Sequence, residues 1–371
     1  MRMEAQGKRL LSIDTLRGMD MLFIMGLGPL ILRICALFPG GENCWLASQM
    51  HHVDWNGLAF MDMVFPLFLF IAGLSFPFSY AKQVEKGRTS WQIHRKIFVR
   101  CLLLILLGIV YNGFFNLHFP QRYASVLGRI GLAWMFAALL YIHCKPAVRG
   151  VVAVLLLAGF GLLITHVGAP DAPAGAGPLT QDGCLHGWID RHLLPGRLHR
   201  GNFDPEGLLG VVPATVTAML GMFTGEFIRI PEERISGPRK TLLMLGAAAV
   251  LLGIGLLWSR VLPLNKKLWT STFVLVVGAF SIAAYAVVYY IVEVKGWRKW
   301  TFPFCVVGLN SITIYLLQQI VPFQSVADFF LGGAAKLLPE AWGALLLAAG
   351  YLAVCWLLLY FLYKKKVFLK I

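Results

Sequence analysis

Ten runs of about twenty mostly apolar residues follow one another along this chain of 371 residues, at 19–38, 58–80, 97–117, 126–143, 149–167, 207–228, 241–262, 269–293, 302–321 and 342–363. A helix needs about 20 such residues to cross the hydrocarbon of a bilayer. In lipid the backbone must satisfy its own hydrogen bonds, which leaves helices as the natural form of such runs. The expected fold is therefore all-α: a polytopic transmembrane helix bundle of about ten spans, forming one domain over 1–371. Only 14% of the residues are charged and 58% are hydrophobic, against about 25% charged in soluble domains. Pro66, Pro77, Pro213 and Pro303 lie within or near the ends of these runs, where proline often marks a kink. The first run is too long for a signal-peptide core and lacks an A-x-A cleavage site, so it reads as a retained span.

The formal charge of +15 sits mainly in short loops between apolar runs. That placement points to topology and anionic lipid rather than to nucleic acid. With the N-terminus inside, every inner loop is basic, from Arg2, Lys8, Arg9 and Arg17 at the start to Lys364, Lys365, Lys366 and Lys370 at the end. Both termini are then cytoplasmic. The segments 39–57, 118–125, 168–206, 263–268 and 322–341 fall outside. The 168–206 loop is the longest, and its second half holds His186, Asp190, His192, His199, Asp204 and Glu206. Cys44 and Cys184 both fall in outer loops where oxidation can occur. Whether they pair is not set by spacing. No internal repeat or broken-helix pair of the kind found in repeat-built transporters is visible.

Ionisable groups in spans default to functional hypotheses. Asp62, in LAFMDMVFP, stands about one turn into its span, and His52, in HHVDWNG, precedes it by ten residues. A histidine oriented by a carboxylate is a general base or nucleophile with a held tautomer; the alternative is a wet loop histidine and a carboxylate bonded to a neighbouring helix. His51 adjoins His52, but no third ligand is spaced with them, and no metal is expected. Arg129 starts the fourth span. Asn265, Lys266 and Lys267 precede the eighth. Asn310 and Ser311 lie in the ninth, as substrate contacts or as polar glue between helices. Asp204 and Glu206, in FDPEG, stand where the sixth span begins, as substrate groups or helix caps. Arg17, Arg95, Lys96 and Arg100 lie inside, as anchors for a phosphate-rich cofactor or as ordinary positive-inside residues.

Several stretches, in order, are SIDTLRGMDM, HHVDWNGLAFMDMVFPLFLFIAG, VLGRIGLAW, GWIDRHLL, FDPEGLLG, LPLNKKLWTSTFV, GLNSITIYLL and KKKVFLKI. On these the chain resembles the heparan-α-glucosaminide N-acetyltransferase family over nearly its whole length. The resemblance implies transfer of acetyl from cytoplasmic acetyl-CoA, through the bundle, to an amino sugar or glycan on the far side. It implies His52 and Asp62 as the catalytic pair. It suggests Trp55, Asn56, Arg129, Asp204, Glu206, Asn265, Trp269, Asn310 and Ser311 on the acceptor side, and Arg17, Arg95, Lys96 and Arg100 on the acetyl-CoA side. Two positions depart from the family: an asparagine in the first matching span is Gly28 here, and a histidine after GLNS is Gln318. Both touch acceptor identity more than reaction class. A bacterial inner membrane setting, lipid contact and a homodimer are the associated expectations. A transporter or flippase for a sugar or lipid-linked glycan is the rival reading, and a non-catalytic scaffold a third.

Overall fold

The structure is a computed structural model and describes residues 10–113 and 120–369. Its helices are α1 (Leu11–Leu22), α2 (Gly28–Cys35), α3 (Trp45–Gln49), α4 (Phe60–Glu85), α5 (Ser90–Tyr111), α6 (Val126–His143), α7 (Pro146–His166), α8 (Leu185–Leu193), α9 (Val211–Ile228), α10 (Gly237–Trp258), α11 (Ser271–Tyr289), α12 (Phe302–Leu309), α13 (Ser311–Ile320), α14 (Phe323–Lys336) and α15 (Glu340–Lys364). Among the described residues there is no strand, only isolated bridges between Arg122 and Gly196 and between Gly168 and Cys184. These tie the long loop to itself and to the segment before α6. The fold is the expected helix bundle.

Among the described residues eight helices are long and apolar enough to cross a membrane, and the pair Lys299–Leu309 and Ser311–Ile320, bent by 57°, makes a ninth if it counts as one span. The expected ten is thus reduced to eight or nine by this measure. The difference is α5: Arg95, Lys96 and Arg100 dilute the apolar run in its first half, and the expected end of that span runs into 114–119, outside the described residues. Arg2, Lys8, Arg9 and Lys370 also lie outside them.

The first span begins at Leu11 rather than Met19. The helix accommodates early charges because they have partners. Arg17 donates to Ser75 Oγ at 2.9 Å and lies 3.6 Å from Asp14. A π-helical turn, Phe23–Leu27, then joins α1 to α2 within the span. The segment 322–341, expected as a loop, is largely the helix α14. Pro322 and Pro339 bracket it, one as its N-cap and the other as the N-cap of α15.

At the centre, α4 packs along α9. Gly73 faces the Ala218 carbonyl, and a side chain there would meet it at 2.1 Å; Gly221 faces the Phe70 carbonyl at 2.0 Å. Membrane helices have little hydrophobic drive to associate, so small residues that allow close backbone approach set the contact. Pro66 and Pro77 lie inside α4. This α4–α9 core carries the functional residues at its upper end.

Candidate active site

Asp62 is the third residue of α4, where free backbone N–H groups favour an acceptor. Its Oδ2 accepts from Ala59 N at 3.1 Å and from Val53 N at 3.2 Å. The first contact caps the helix and the second folds the incoming chain back over it. That fold brings His52 Nδ1 to 2.8 Å from Asp62 Oδ1. Gln49, at the end of α3, secures the approach by accepting from Phe60 N at 3.0 Å. An ionised carboxylate can only accept, so Nδ1 carries the hydrogen and Nε2 keeps its lone pair. The Asp62 side chain is 2% exposed and that of His52 56%. The carboxylate is thus buried and the imidazole ring open.

A second element converges on the same carboxylate. The turn before α11 places Lys266 Nζ at 3.3 Å from Asp62 Oδ1 and 3.2 Å from His52 Nδ1. Burial lowers the Lys266 pKa, with the Asp62 charge acting against that shift. Asn265 builds the turn. It accepts from Leu268 N at 2.9 Å and donates to Asn56 Oδ1 at 3.1 Å, while Gly57 N donates to Leu264 O at 2.8 Å. The His52 segment and the lysine turn are therefore stitched together. Trp269 closes the turn with φ of 52°, a left-handed conformation that costs about 1–2 kcal/mol for a residue with a Cβ. Its fully buried ring packs on Phe65 and Phe273 and donates to Thr217 Oγ1 at 3.2 Å.

A third element is held by Arg122. Its Nε donates to Asp204 Oδ2 at 2.8 Å and its Nη2 to Asp204 Oδ1 at 2.6 Å, and the same Nη2 binds Glu206. Asp204 also accepts from His199 N and Glu206 N, both at 3.0 Å. Burial opposes charge on both members. The mutual hydrogen bonds outweigh it, holding Asp204 below its ordinary pKa and Arg122 above its own. Nearby, Arg129 is buried against the Trp269 ring at 5.2 Å and donates to Gly207 O at 3.0 Å. Asp190, on α8, accepts from Leu208 N at 3.0 Å, and burial pushes its pKa up to about 7.

These elements enclose a cavity of about 560 Å³. Its polar wall holds His52, Asp54, Asp62, Arg129, His199, Arg200, Glu206, Lys266 and Lys267; its floor is Phe23, Ile24, Met61, Val64, Phe65, Val126, Trp269 and Tyr315. A small apolar pocket shares Ile24, Phe65, Val126 and Tyr315 with that floor and reaches Ser311. Of the residues singled out in the sequence, His52, Asp62, Arg129, His199, Glu206, Lys266, Lys267 and Trp269 line the cavity, and Ser311 lines the small apolar pocket that adjoins it. Trp55 and Asn56 line an adjoining outer groove instead, where Trp55 donates to Leu179 O at 2.8 Å. Asp204 and Asn265 are occupied in loop architecture. Asn310 caps the break between α12 and α13, and its buried Nδ2 has no hydrogen-bond partner. Gln318 donates to Tyr351 Oη at 2.7 Å and to Met25 O at 3.2 Å. Gly28 packs at Met61, which lines the cavity.

The inner-side residues stand apart. Ser75, the partner of Arg17, is about 20 Å along α4 from Asp62 at 1.5 Å per residue. Arg100 stacks on Trp134 at 4.2 Å, and Arg95 and Lys96 are exposed. Cys44 and Cys184 do not approach: Cys184 donates to Gln181 O at 3.3 Å, and the neighbour of Cys44 is Cys35. The turns after α2 return the chain to its own helix end rather than across to the long loop. Among the described residues no group of three metal-ligating side chains comes together.

The sequence reading passed over Arg122 and Asp20 and named Lys266 without giving it a role. Arg122 carried no span signal, although the acidic pair of FDPEG required a cation. Lys266 was visible only as part of a motif. Asp20, inside the first span, is buried with neither carboxylate oxygen hydrogen-bonded; a charge within an apolar run was the available signal.

Fold and site together define a multi-pass helical membrane protein with a histidine–carboxylate pair in a polar cavity at one end of the bundle. The chain is 29% identical to human (Homo sapiens) heparan-alpha-glucosaminide N-acetyltransferase over 428 aligned positions, covering 100% of this chain and 61% of the relative. It is 28% identical to the mouse (Mus musculus) enzyme of that name over 429 positions, covering 99% of this chain and 61% of the relative. It thus spans 61% of the length of each, and the relationship to that family indicated by the motifs is supported. No family model matches the chain.

Proposed function

We propose that this protein is a transmembrane acetyltransferase that takes acetyl from acetyl-CoA on the cytoplasmic side and delivers it to an amino sugar or glycan on the other side. The observation that carries the reading is the 2.8 Å His52–Asp62 pair in the wall of a cavity of about 560 Å³. Similarity to N-acetyltransferases along the whole of this chain, over 61% of their length, supports it.

Asp62 holds the imidazole with Nε2 free. That atom acts in one of two ways. It attacks the thioester carbonyl, so that a C–N bond forms, the C–S bond breaks and the CoA thiolate leaves; the acceptor amine then attacks the acetyl-histidine and returns the imidazole. Alternatively, Nε2 takes the proton from the amine as the amine attacks the thioester directly; the C–S bond breaks, and the CoA thiolate leaves and is protonated from the imidazolium. In both, Lys266 and Arg129 supply positive charge to the carbonyl oxygen as it gains negative charge. Glu206 and Asp54 offer carboxylates to a cationic or hydroxyl-rich acceptor. Arg17, Arg95, Lys96 and Arg100 are the candidates for CoA phosphates on the inner side. The basic loops support a multi-pass protein of a bacterial inner membrane with both termini in the cytoplasm, in which 1–371 acts as one domain and a homodimer is the assembly.

The test is transfer of label from acetyl-CoA by the purified protein, with and without glucosamine, for wild type, His52→Ala and Asp62→Asn. Acceptor-dependent transfer lost in His52→Ala supports the reading. Absence of acetyl-CoA binding and turnover across amino and neutral sugars overturns it. The transporter reading keeps one specific observation, the unbonded carboxylate of Asp20 inside the first span, since membrane carriers use such groups for protons. Sugar uptake into liposomes that is lost in Asp20→Asn would favour it.

A further inference from the structure

The chain leaves α2 at Cys35 and passes through successive tight turns. Leu37 N donates to Ile34 O, Phe38 N to Cys35 O, Gly41 N to Phe38 O and Cys44 N to Gly41 O. Gly41 lies so close that a side chain there would meet the Cys35 carbonyl at 1.9 Å. These turns return the chain to its starting point, with Cys44 Sγ at 3.8 Å from Cys35 Sγ. We propose that Cys35 and Cys44 form a disulfide that fastens the outer end of the first span to the segment carrying His52.

Bond formation needs the sulfurs to close by about 2 Å to the 2.05 Å of a disulfide, within reach of side-chain rotation. Cys44 is half-buried and Cys35 buried, so Cys44 is the entry thiol. Its sulfur accepts from Ala47 N at 3.4 Å, and that contact lowers its pKa, favouring the attacking thiolate. The oxidant is a disulfide of a thiol–disulfide oxidoreductase or of the glutathione class. Cys44 attacks one of its sulfurs and the other leaves as a thiolate. Cys35 then attacks Cys44 Sγ in the mixed disulfide and expels the second donor thiol. Two electrons pass to the donor, and the two thiol protons end on its two thiols. The link would brace the path to the site: α3 begins at Trp45, its last residue Gln49 binds Phe60 N, and His52 lies between.

The inference rests on the outward placement of this end under the proposed function, and the experiment separates the two. Membranes are alkylated at lysis, the full-length protein is cleaved after Glu42, which lies between the cysteines, and the fragments are weighed without reductant. The expected result is two fragments joined until reductant is added. Reduced purified protein is also treated with oxidised glutathione. Fragments unlinked in membranes but linked by glutathione would place this end in a reducing compartment, overturning the disulfide and the orientation together. Fragments unlinked in both arms overturn the pairing alone. Reductant is further expected to lower the melting temperature of wild type by several degrees and to leave C35S/C44S unmoved. An equal response in both proteins overturns the brace. If the double variant does not fold, the wild-type reduction arm still decides.

Discussion

At the scale of single residues, the site turns on one carboxylate with four partners. Asp62 caps α4, folds Val53 over the helix, holds His52 and meets Lys266. These contacts make it structural, and chemical as well under the proposed function. Under the proposed function, Asp62→Asn is expected to lower kcat by roughly 10²–10⁴, the range of general-base and orienting groups. KM is expected to move little, as read by steady-state kinetics. Equal activity in the variant would remove Asp62 from the chemistry. Lys266 shares the same oxygen, so Lys266→Met and Asp62→Asn are expected to be non-additive in kcat/KM, with a coupling above about 0.5 kcal/mol. Strict additivity in the double-mutant cycle would mean that Lys266 acts elsewhere. The lysine's role was not legible in the chain, because more than 200 positions separate it from His52 and only folding brings them to 3.2 Å.

Elements decide how this site is held. The α4–α9 contact depends on Gly73 and Gly221, each facing a backbone carbonyl that cannot move aside. Gly221→Leu is expected to destabilise the bundle by at least about 1–3 kcal/mol, the usual penalty of overpacking, seen as a lower melting temperature in detergent. An unchanged transition would show that the helices can separate without loss. The long loop is secured differently, by Arg122 on Asp204 and Glu206. Arg122→Ala leaves the buried Asp204 carboxylate and the half-buried Glu206 without their cation and is expected to cost about 3–5 kcal/mol, measured as faster proteolysis within 195–206. Asp204 has a lowered pKa when folded. Its contribution is therefore present above its unfolded pKa and is lost as pH falls through the folded value. Asp190 behaves oppositely. With its pKa raised to about 7 by burial, its contribution is full below its unfolded value and is lost as pH rises through about 7. Asp190→Asn should therefore lose less stability than wild type between pH 5 and pH 8. Parallel pH profiles for the two proteins would contradict the assignment.

For the whole molecule, the basic loops and the cavity lie at opposite ends of the bundle. If the inner side is the cytoplasm, a cysteine introduced at Thr180 should react with a membrane-impermeant maleimide in intact cells, and one at Arg234 only after permeabilisation. The reverse pattern would invert the orientation, and with it the direction of the proposed transfer. Exposed apolar surface is abundant on α7 and α10, which present leucines and valines, and on α15, which presents Trp342, Leu357 and Phe361. The functional residues instead collect around α4, α6, α9 and the turn before α11. This division fits a bundle whose central helices carry chemistry and whose outer helices meet lipid.

What the sequence by itself determined is the class of fold and the candidate pair His52 and Asp62. Span-length apolar runs and loop charge are properties of local composition, because lipid demands them of each segment separately. His52 and Asp62 were legible because a helix start lay between them, so a short-range fold-back sufficed. Tertiary structure alone decided the rest. It showed that Asp204 and Asn265 hydrogen-bond within the loops, that Arg122 holds Asp204 and Glu206, that Lys266 meets the His52–Asp62 pair, and that Cys44 approaches Cys35 rather than Cys184. Each of these depends on distances between segments far apart in the chain or on the path of a turn. Such distances follow from how helices pack, and packing is set by side-chain shape across the whole bundle rather than by any one stretch of residues.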